Sequence, residues 1–388
     1  MLSYWEQSAM LDYDLVVLGG GITGMFCALT YREQYPKARI AILERGLFSS
    51  GASTKNAGFA CFGSLSELVD DAQNMKSKEL LDLVQLRREG LLLLKDTLGE
   101  NNIDFQPNGG YELFFKQAPE ALDKLDEINT LLHPLFGESV FQSSKAKIES
   151  FGLSKKYVHH LIENSFEGQI HTGKMMRALR TKVNINSIDY FSGIEVTAFD
   201  FNKNKTELSL KLKDQTIELK TQKLAVCTNA FTQQFFPEIE LKPGRGMVVL
   251  TKPIPGLKVK GAFHYKQGYY YFRNIKNRIL FGGGRELDFE GEATTTFGSN
   301  PRIKQQLIND LNEFIVPKHL CTIEMEWSGI MAFGKNKLPL LEKKGRPYSP
   351  RCPLGRNGHC YWQQNWSSHC KTFVQFVTVT SIFAQRLL

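Results

Sequence analysis

Apolar residues fall along this chain in short runs, and the first informative one is Leu15-Val16-Val17-Leu18. A brief run rich in β-branched side chains, with no polar alternation, predicts a strand buried on both faces. It stops at Gly19, Gly21 and Gly24, and a helical stretch, Met25-Phe26-Cys27-Ala28-Leu29-Thr30-Tyr31, follows at once. A second run, Arg39-Ile40-Ala41-Ile42-Leu43, closes on Glu44. Strand, glycine turn, helix and strand in that order predict a βαβ unit and an α/β fold. Much later, Gly268-Tyr-Tyr-Tyr-Phe-Arg273 and Arg278-Ile-Leu-Phe-Gly-Gly-Gly284 read as two strands joined by Asn274-Ile275-Lys276-Asn277. At period two, Tyr269, Tyr271 and Arg273 share one face of that hairpin. No apolar run approaches the roughly 18 residues of a membrane-spanning helix, so no integral membrane segment is expected.

Length and composition narrow this picture without changing it. The 388 residues suggest two or three domains, and 11% aromatic with 23% charged residues exclude disordered and fibrous classes. Glu6, Asp12 and Asp14 stand where a secretory leader would carry basic and then apolar residues, so none is expected. The formal charge of +8 raises the question of a nucleic-acid partner. The Lys and Arg residues are scattered, however, with no basic run interleaved with aromatics. The charge therefore reads as that of a basic enzyme drawing in anionic substrates, with no nucleic acid bound. Seven cysteines without CxxC spacing fit a reducing compartment, and the expectation is a soluble cytoplasmic protein.

The candidate chemistry begins at the glycines. Gly19 allows a tight turn, Gly21 lets backbone approach a pyrophosphate, and Gly24 lets helix and strand pack closely. Ile22 and Thr23 lie between them, at a helix N-terminus whose N–H groups and dipole favour an anion. Glu44, twenty residues after Gly24, closes the second strand, where a carboxylate accepts both ribose hydroxyls of an adenosine and repels the 2′-phosphate of NADP. Arg45 follows it.

The segment Ser49-Ser-Gly-Ala-Ser-Thr-Lys-Asn-Ala-Gly-Phe59 is small, polar and glycine-bearing. It resembles the loop of the D-amino-acid-oxidase-like flavoproteins (glycine oxidase, sarcosine oxidase, D-amino-acid dehydrogenase), which runs along the pyrophosphate to the flavin. The resemblance implies non-covalent FAD as cofactor, with Ser53, Thr54, Lys55, Asn56 and Gly58 among its contacts. Four further stretches are similar to segments of that family. Gly168-Gln-Ile-His-Thr-Gly-Lys-Met-Met-Arg-Ala-Leu179 leads into a helix. Gly193-Ile-Glu-Val196 opens alternating strands through Leu219, with the Val196 backbone near the adenine. Leu224-Ala-Val-Cys-Thr-Asn-Ala230 returns the chain to the cofactor at Thr228. Trp327-Ser-Gly-Ile-Met331 resembles the closing Trp-x-Gly segment.

On the substrate side, a face of phenols and a guanidinium suits an anionic, partly apolar ligand, since Arg grips carboxylates bidentately. The alternative is an amphipathic strand with core tyrosines and a solvated Arg. The resemblance implies a substrate-contacting tyrosine at Tyr271, so Tyr271 and Arg273 are the candidate catalytic pair. One departure from the family stands out. Its amino-acid oxidases carry a carboxylate-binding Arg where this chain has Met331, and an Asp where it has Lys335-Asn336-Lys337. The anchor then falls to Arg273, Arg285 or Arg245, or the substrate is not a simple amino acid. His264 and His171 are the histidines nearest these elements, and hydride transfer from a neutral amine to flavin needs neither as a base.

After Leu340-Leu341-Glu-Lys-Lys344 the sequence changes character. Residues 345–388 hold Cys352, Cys360 and Cys370 together with Trp362 and Trp366, and His359-Cys360 and His369-Cys370 match no ordinary zinc spacing. Permitted codons for Arg356 to Phe373, read one nucleotide forward, give Gly-Met-Gly-Ile-Ala-Ile-Gly-Ser-Lys-Ile-Gly-Ala-His-Ile-Val-Lys-Leu. That resembles the family's final glycine-rich turn and helix, so the tail reads as a frameshift near residue 345. The expected architecture is α/β: a Rossmann-type FAD-binding domain with an interleaved, mostly antiparallel β substrate domain. The FAD part is expected over 1–90, 145–240 and 325–344, the substrate part over 91–144 and 241–324, and an atypical tail over 345–388. The expected activity is FAD-dependent oxidation of the CH–NH bond of an amino acid or secondary amine, with oxygen, a quinone or a carrier as electron acceptor. A 2-hydroxy-acid dehydrogenase, and a flavin-binding protein impaired by its tail, are the alternatives.

Overall fold

Val16 and Val17 are wholly buried, as a strand covered on both faces requires. They lie in the Asp12–Leu18 strand of a computed structural model that describes residues 2–115, 119–201, 205–212, 215–335, 337–344 and 373–378. Gln215–Val226 runs parallel to this strand on one side and Ile40–Glu44 on the other. Asp189–Ser192 extends the sheet beyond Ile40–Glu44, and Phe373–Thr378 extends it beyond Gln215–Val226, both in parallel. Leu340–Lys344 closes that edge in antiparallel register. The helix Ile22–Gln34 buries Met25, Ala28 and Leu29. An antiparallel meander, Glu195–Phe201 and Thr206–Leu212, leads into Gln215–Val226.

This sheet belongs to one of two units of the chain, built from Met1–Thr54, Met176–Lys242 and the described residues from Ala332 on. The other comprises Lys55–Met175 and Pro243–Met331. Its sheet places eight strands in the spatial order Ile323–Phe333, Lys242–Thr251, Arg278–Gly283, Tyr270–Ile275, Ala262–Tyr265, Gly110–Phe114, His160–Asn164 and Phe141–Ser143. Ala262–Tyr265 and Gly110–Phe114 pair in parallel. Their neighbours Tyr270–Ile275 and His160–Asn164 pair with them antiparallel. The core is aromatic, with Phe263 stacked on Phe272 at 4.7 Å and Tyr265 on Tyr270 at 4.6 Å.

Two expectations are corrected here. Residues 55–90, 145–175 and 325–331 group with the β-rich unit and not with the first one. The reason is packing: Phe62, Leu65, Leu68, Leu80 and Val84 close a core with Ile128, Leu132, Val140, Phe141 and Ile162. The hairpin is also tighter than expected, since Asn274 and Ile275 continue the strand and only Lys276-Asn277 turns, with Lys276 at φ 53°. A two-residue turn with positive φ matches the twist of the flanking strands, which Asn274, Lys276 and Asn277 around Ile275 concealed. Residues 345–372, and with them most of the tail, lie outside the described residues.

Candidate active site

In the first unit the candidate site is the turn between Leu18 and Ile22. Gly19 takes φ +101°, and a Cβ there would stand 2.4 Å from the Cys227 carbonyl oxygen. A Cβ on Gly24 would stand 1.9 Å from the Gly19 oxygen. Neither position admits a side chain, so the turn stays pressed against strand and helix. Gly21 caps the helix without a side-chain bond, and Ile22 N–H donates to Ser53 Oγ at 3.0 Å. Thr23, in the first turn, is half-buried.

Glu44 is buried at the end of its strand. Its Oε2 accepts from Gly20 N at 3.0 Å, and its Oε1 from Gly46 N at 2.8 Å. Ser50 adds longer bonds from N at 3.3 Å and Oγ at 3.1 Å. Arg45 is exposed, its guanidinium 4.4 Å from the Phe231 ring centroid. Thr54 Oγ1 donates to the Ser49 carbonyl at 2.6 Å. Val196 pairs with Leu210 in the meander, and Thr228 Oγ1 lies 3.0 Å from Thr232 Oγ1. Sequence reasoning missed Tyr190, whose Oη reaches the Gly20 carbonyl at 3.3 Å while the Arg180 guanidinium covers its ring at 3.3 Å. Neither residue falls in a glycine or acid motif that would mark it.

In the second unit, motifs far apart in the chain meet at Lys55 to Gly58. Asn56 Oδ1 accepts from Thr172 Oγ1 at 2.7 Å and from Gly58 N at 3.0 Å. Trp327 Nε1 donates to the Lys55 carbonyl at 2.8 Å. Arg273 Nη1 donates to the carbonyls of Gly58 at 2.6 Å, Ile170 at 2.7 Å and Ala57 at 3.2 Å. Burial lowers its pKa to about 10, against the opposing pull of Asp104. The guanidinium expected to grip a substrate carboxylate is thus engaged with backbone, which also removes the solvated-Arg alternative.

Tyr271 stands differently. Its hydroxyl is buried with no hydrogen-bond partner among the described residues, and burial raises its pKa, keeping a neutral phenol. Phe59 meets its ring edge-on at 5.7 Å and lies 5.0 Å from His264. Met331 is buried beside Gly246. Tyr269, expected on the same face, precedes the strand and is 42% exposed. Arg245 is held by Glu292 through two 2.8 Å bonds, which leaves it unsuited to a ligand carboxylate. Arg285 rests 5.3 Å from the Phe289 ring centroid. His171 is exposed, and its Nδ1 accepts from Lys174 N at 3.2 Å. His264 is buried, and desolvation lowers its pKa to about 4.

A model of the FAD dependent oxidoreductase (DAO) family matches residues 14–373. Among solved structures, glycine oxidase from Geobacillus kaustophilus is similar at TM-score 0.66 and 19% identity, over 97% of this chain and 92% of that one. L-proline dehydrogenase from P. horikoshii is similar at TM-score 0.70 and 13% identity, over 97% and 91%. NikD, an unusual amino acid oxidase essential for nikkomycin biosynthesis, is similar at TM-score 0.67 and 14% identity, over 97% and 93%. No curated protein matches the chain. Among the described residues, no helix is long and apolar enough to cross a membrane.

Proposed function

Because this chain belongs to the FAD-dependent oxidoreductase family, we propose that its reaction is oxidation of the CH–NH bond of a small amine or amino acid. The first unit fits the cofactor by its own geometry: a turn that excludes Cβ atoms, a helix start without a side-chain cap, and a buried acid one strand away. Gly19, Gly21, Ile22, Thr23 and Gly24 are the backbone assigned to the pyrophosphate. Glu44 is assigned to the ribose, whose hydroxyls would replace the two longer Ser50 bonds. Arg45, Ser53, Thr54, Val196 and Thr228 complete this set, with Lys55, Asn56 and Gly58 on the clamped loop. FAD supplies the hydride acceptor.

The observation that carries the substrate reading is the Tyr271 face. A neutral phenol with an unspent donor, edge-on to Phe59 and sharing the approach to Gly246 with Met331, orients a small substrate through one hydrogen bond and excludes water from the rest. Arg273 acts as a positioning residue by holding the Ala57 and Gly58 carbonyls. Of the three candidate arginines, Arg273 and Arg245 are engaged by backbone and by Glu292, so a substrate carboxylate, on an amino acid or a 2-hydroxy acid alike, falls to Arg285. The test is anaerobic flavin bleaching by primary amines, secondary amines, amino acids and 2-hydroxy acids. Bleaching by an amine supports the reading. Bleaching by 2-hydroxy acids alone would overturn it.

A further inference from the structure

Cys61 Sγ, a Glu167 carboxylate oxygen and an imidazole nitrogen of His264 lie within 4.8 Å of one another in the second unit. Three points so spaced share a position no more than about 2.8 Å from each, and zinc reaches sulfur at about 2.3 Å and nitrogen or oxygen at about 2.0–2.2 Å. Small side-chain rotations close that gap. The backbone holds the set together. Cys61 precedes Phe62 and Gly63, whose N–H groups both donate to Glu167 Oε1, at 2.9 and 3.3 Å. Glu167 Oε2 lies over Gly110, where a Cβ would stand 2.1 Å away. His264 pairs in register with Glu112 on that same Gly110–Phe114 strand.

One observation independent of spacing points to a ligand. His264 is 4% exposed, and its Nε2 finds no hydrogen-bond partner among the described residues. A buried polar nitrogen left unpaired costs free energy that a bound cation would recover. The surroundings are also rich in buried acids. Glu67, Asp71, Glu112 and Glu167 are all buried, and among the described residues of this cluster Arg87 is their one buried cation. Arg87 Nη1 is 3.6 Å from Glu67 Oε1, donates to the Phe62 carbonyl, and also feels Asp71, Cys61 and Glu167.

We propose that Cys61, Glu167 and His264 form a site for a divalent transition metal of the zinc class, with three protein ligands and an open fourth position. A thiol and an imidazole select such a metal over magnesium or calcium. A thiolate and a carboxylate cancel the two charges of the ion, so the bound complex is neutral.

The test uses the full-length flavoprotein, loaded with zinc chloride and desalted. Expected are about one zinc per chain and a zinc-edge X-ray absorption spectrum with a sulfur scatterer at about 2.3 Å. Cys61→Ser should remove the sulfur shell, and His264→Gln should weaken retention about 100-fold or more. In the wild-type chain, zinc should slow alkylation of Cys61 about 10-fold or more, read by mass spectrometry on its peptide, because a metal-bound thiolate is withdrawn from reaction. That arm stands even where a variant fails to fold. Loss of zinc on desalting, a shell of nitrogen and oxygen alone, a sulfur shell surviving in Cys61→Ser, or equal alkylation rates would each overturn the proposal.

Discussion

Tyr271 and Glu44 concentrate the proposed binding chemistry in single side chains. The Tyr271 hydroxyl is already desolvated, so substrate gains its hydrogen bond without a further penalty on the protein side. Removing it alone, in Tyr271→Phe, should lower kcat/KM about 10-fold, the worth of one hydrogen bond of roughly 1–1.5 kcal/mol, while flavin content stays constant. Unchanged kinetics in a flavin-loaded variant would remove Tyr271 from the substrate wall. Glu44 offers the opposite readout. Glu44→Arg exchanges an acceptor that holds Gly20, Gly46 and Ser50 for a cation beside the turn. Flavin absorbance per protein after gel filtration should fall at least about 10-fold, and full occupancy would reject the assignment.

Elements matter most where the clamp at Lys55 to Gly58 gathers the strand that bears Arg273, the helix start at Thr172 and the strand that bears Trp327. Each was visible in the sequence as a separate motif, yet periodicity placed Arg273 only on the Tyr271 face and could not say what its guanidinium would meet. That depended on carbonyls over a hundred residues away. Arg273→Leu should therefore act through the loop. The Ala57 and Ile170 carbonyls lose this donor while the Gly58 oxygen keeps the Ile170 N–H at 2.8 Å, so at about 1–3 kcal/mol for each buried group left unpaired the melting temperature should drop and Arg273→Lys should recover part of it. A stable Arg273→Leu protein with only KM raised would restore the carboxylate-anchor role. The adjoining Gly110–Phe114 and Ala262–Tyr265 strands make a second prediction, about pH. Burial lifts the pKa of Glu112 to about 7 and of Glu167 to about 8, so the folded chain keeps protons that the unfolded chain gives up near pH 4–5. Their contribution is complete below the unfolded value and is lost as pH rises through 7–8. The slope reaches up to roughly 1.4 kcal/mol per pH unit for each group. His264, lowered to about 4, has the opposite sign and matters only below about pH 6.5. In chelator-treated protein the urea midpoint should fall from pH 6.5 to 8, and Glu112→Gln should flatten that fall; a flat wild-type profile would contradict the burial argument.

Over the whole molecule, the βαβ start was legible because glycine spacing, strand runs and Glu44 are local signals. The Cys61, Glu167 and His264 cluster was not, since it forms only when three distant strands and turns align. The tail lies between these cases: it has a clear sequence signature, and residues 345–372 are outside the described structure. Its resemblance to the family in the shifted frame supplies the last prediction. A glycine-rich turn into a helix would present N–H groups and a positive dipole end to the negative charge that develops on a flavin receiving hydride. Arg356 to Phe373, as the chain stands, carries Trp362, Gln363, Gln364, Asn365 and Trp366 where that turn and helix require small residues and one apolar face. Loss of a single preorganised donor of this kind costs about 2.7–4 kcal/mol in the transition state, which is a factor of roughly 100 to 1,000 in rate. The chain with this tail should accordingly retain FAD weakly and be reduced slowly by its substrate. The version with one nucleotide restoring the other frame should load FAD fully and be reduced at least about 100-fold faster. Expressing both and comparing flavin content with anaerobic reduction rate decides the matter. Equal loading and equal rates would show that the tail as written is native and that the codon match is a coincidence.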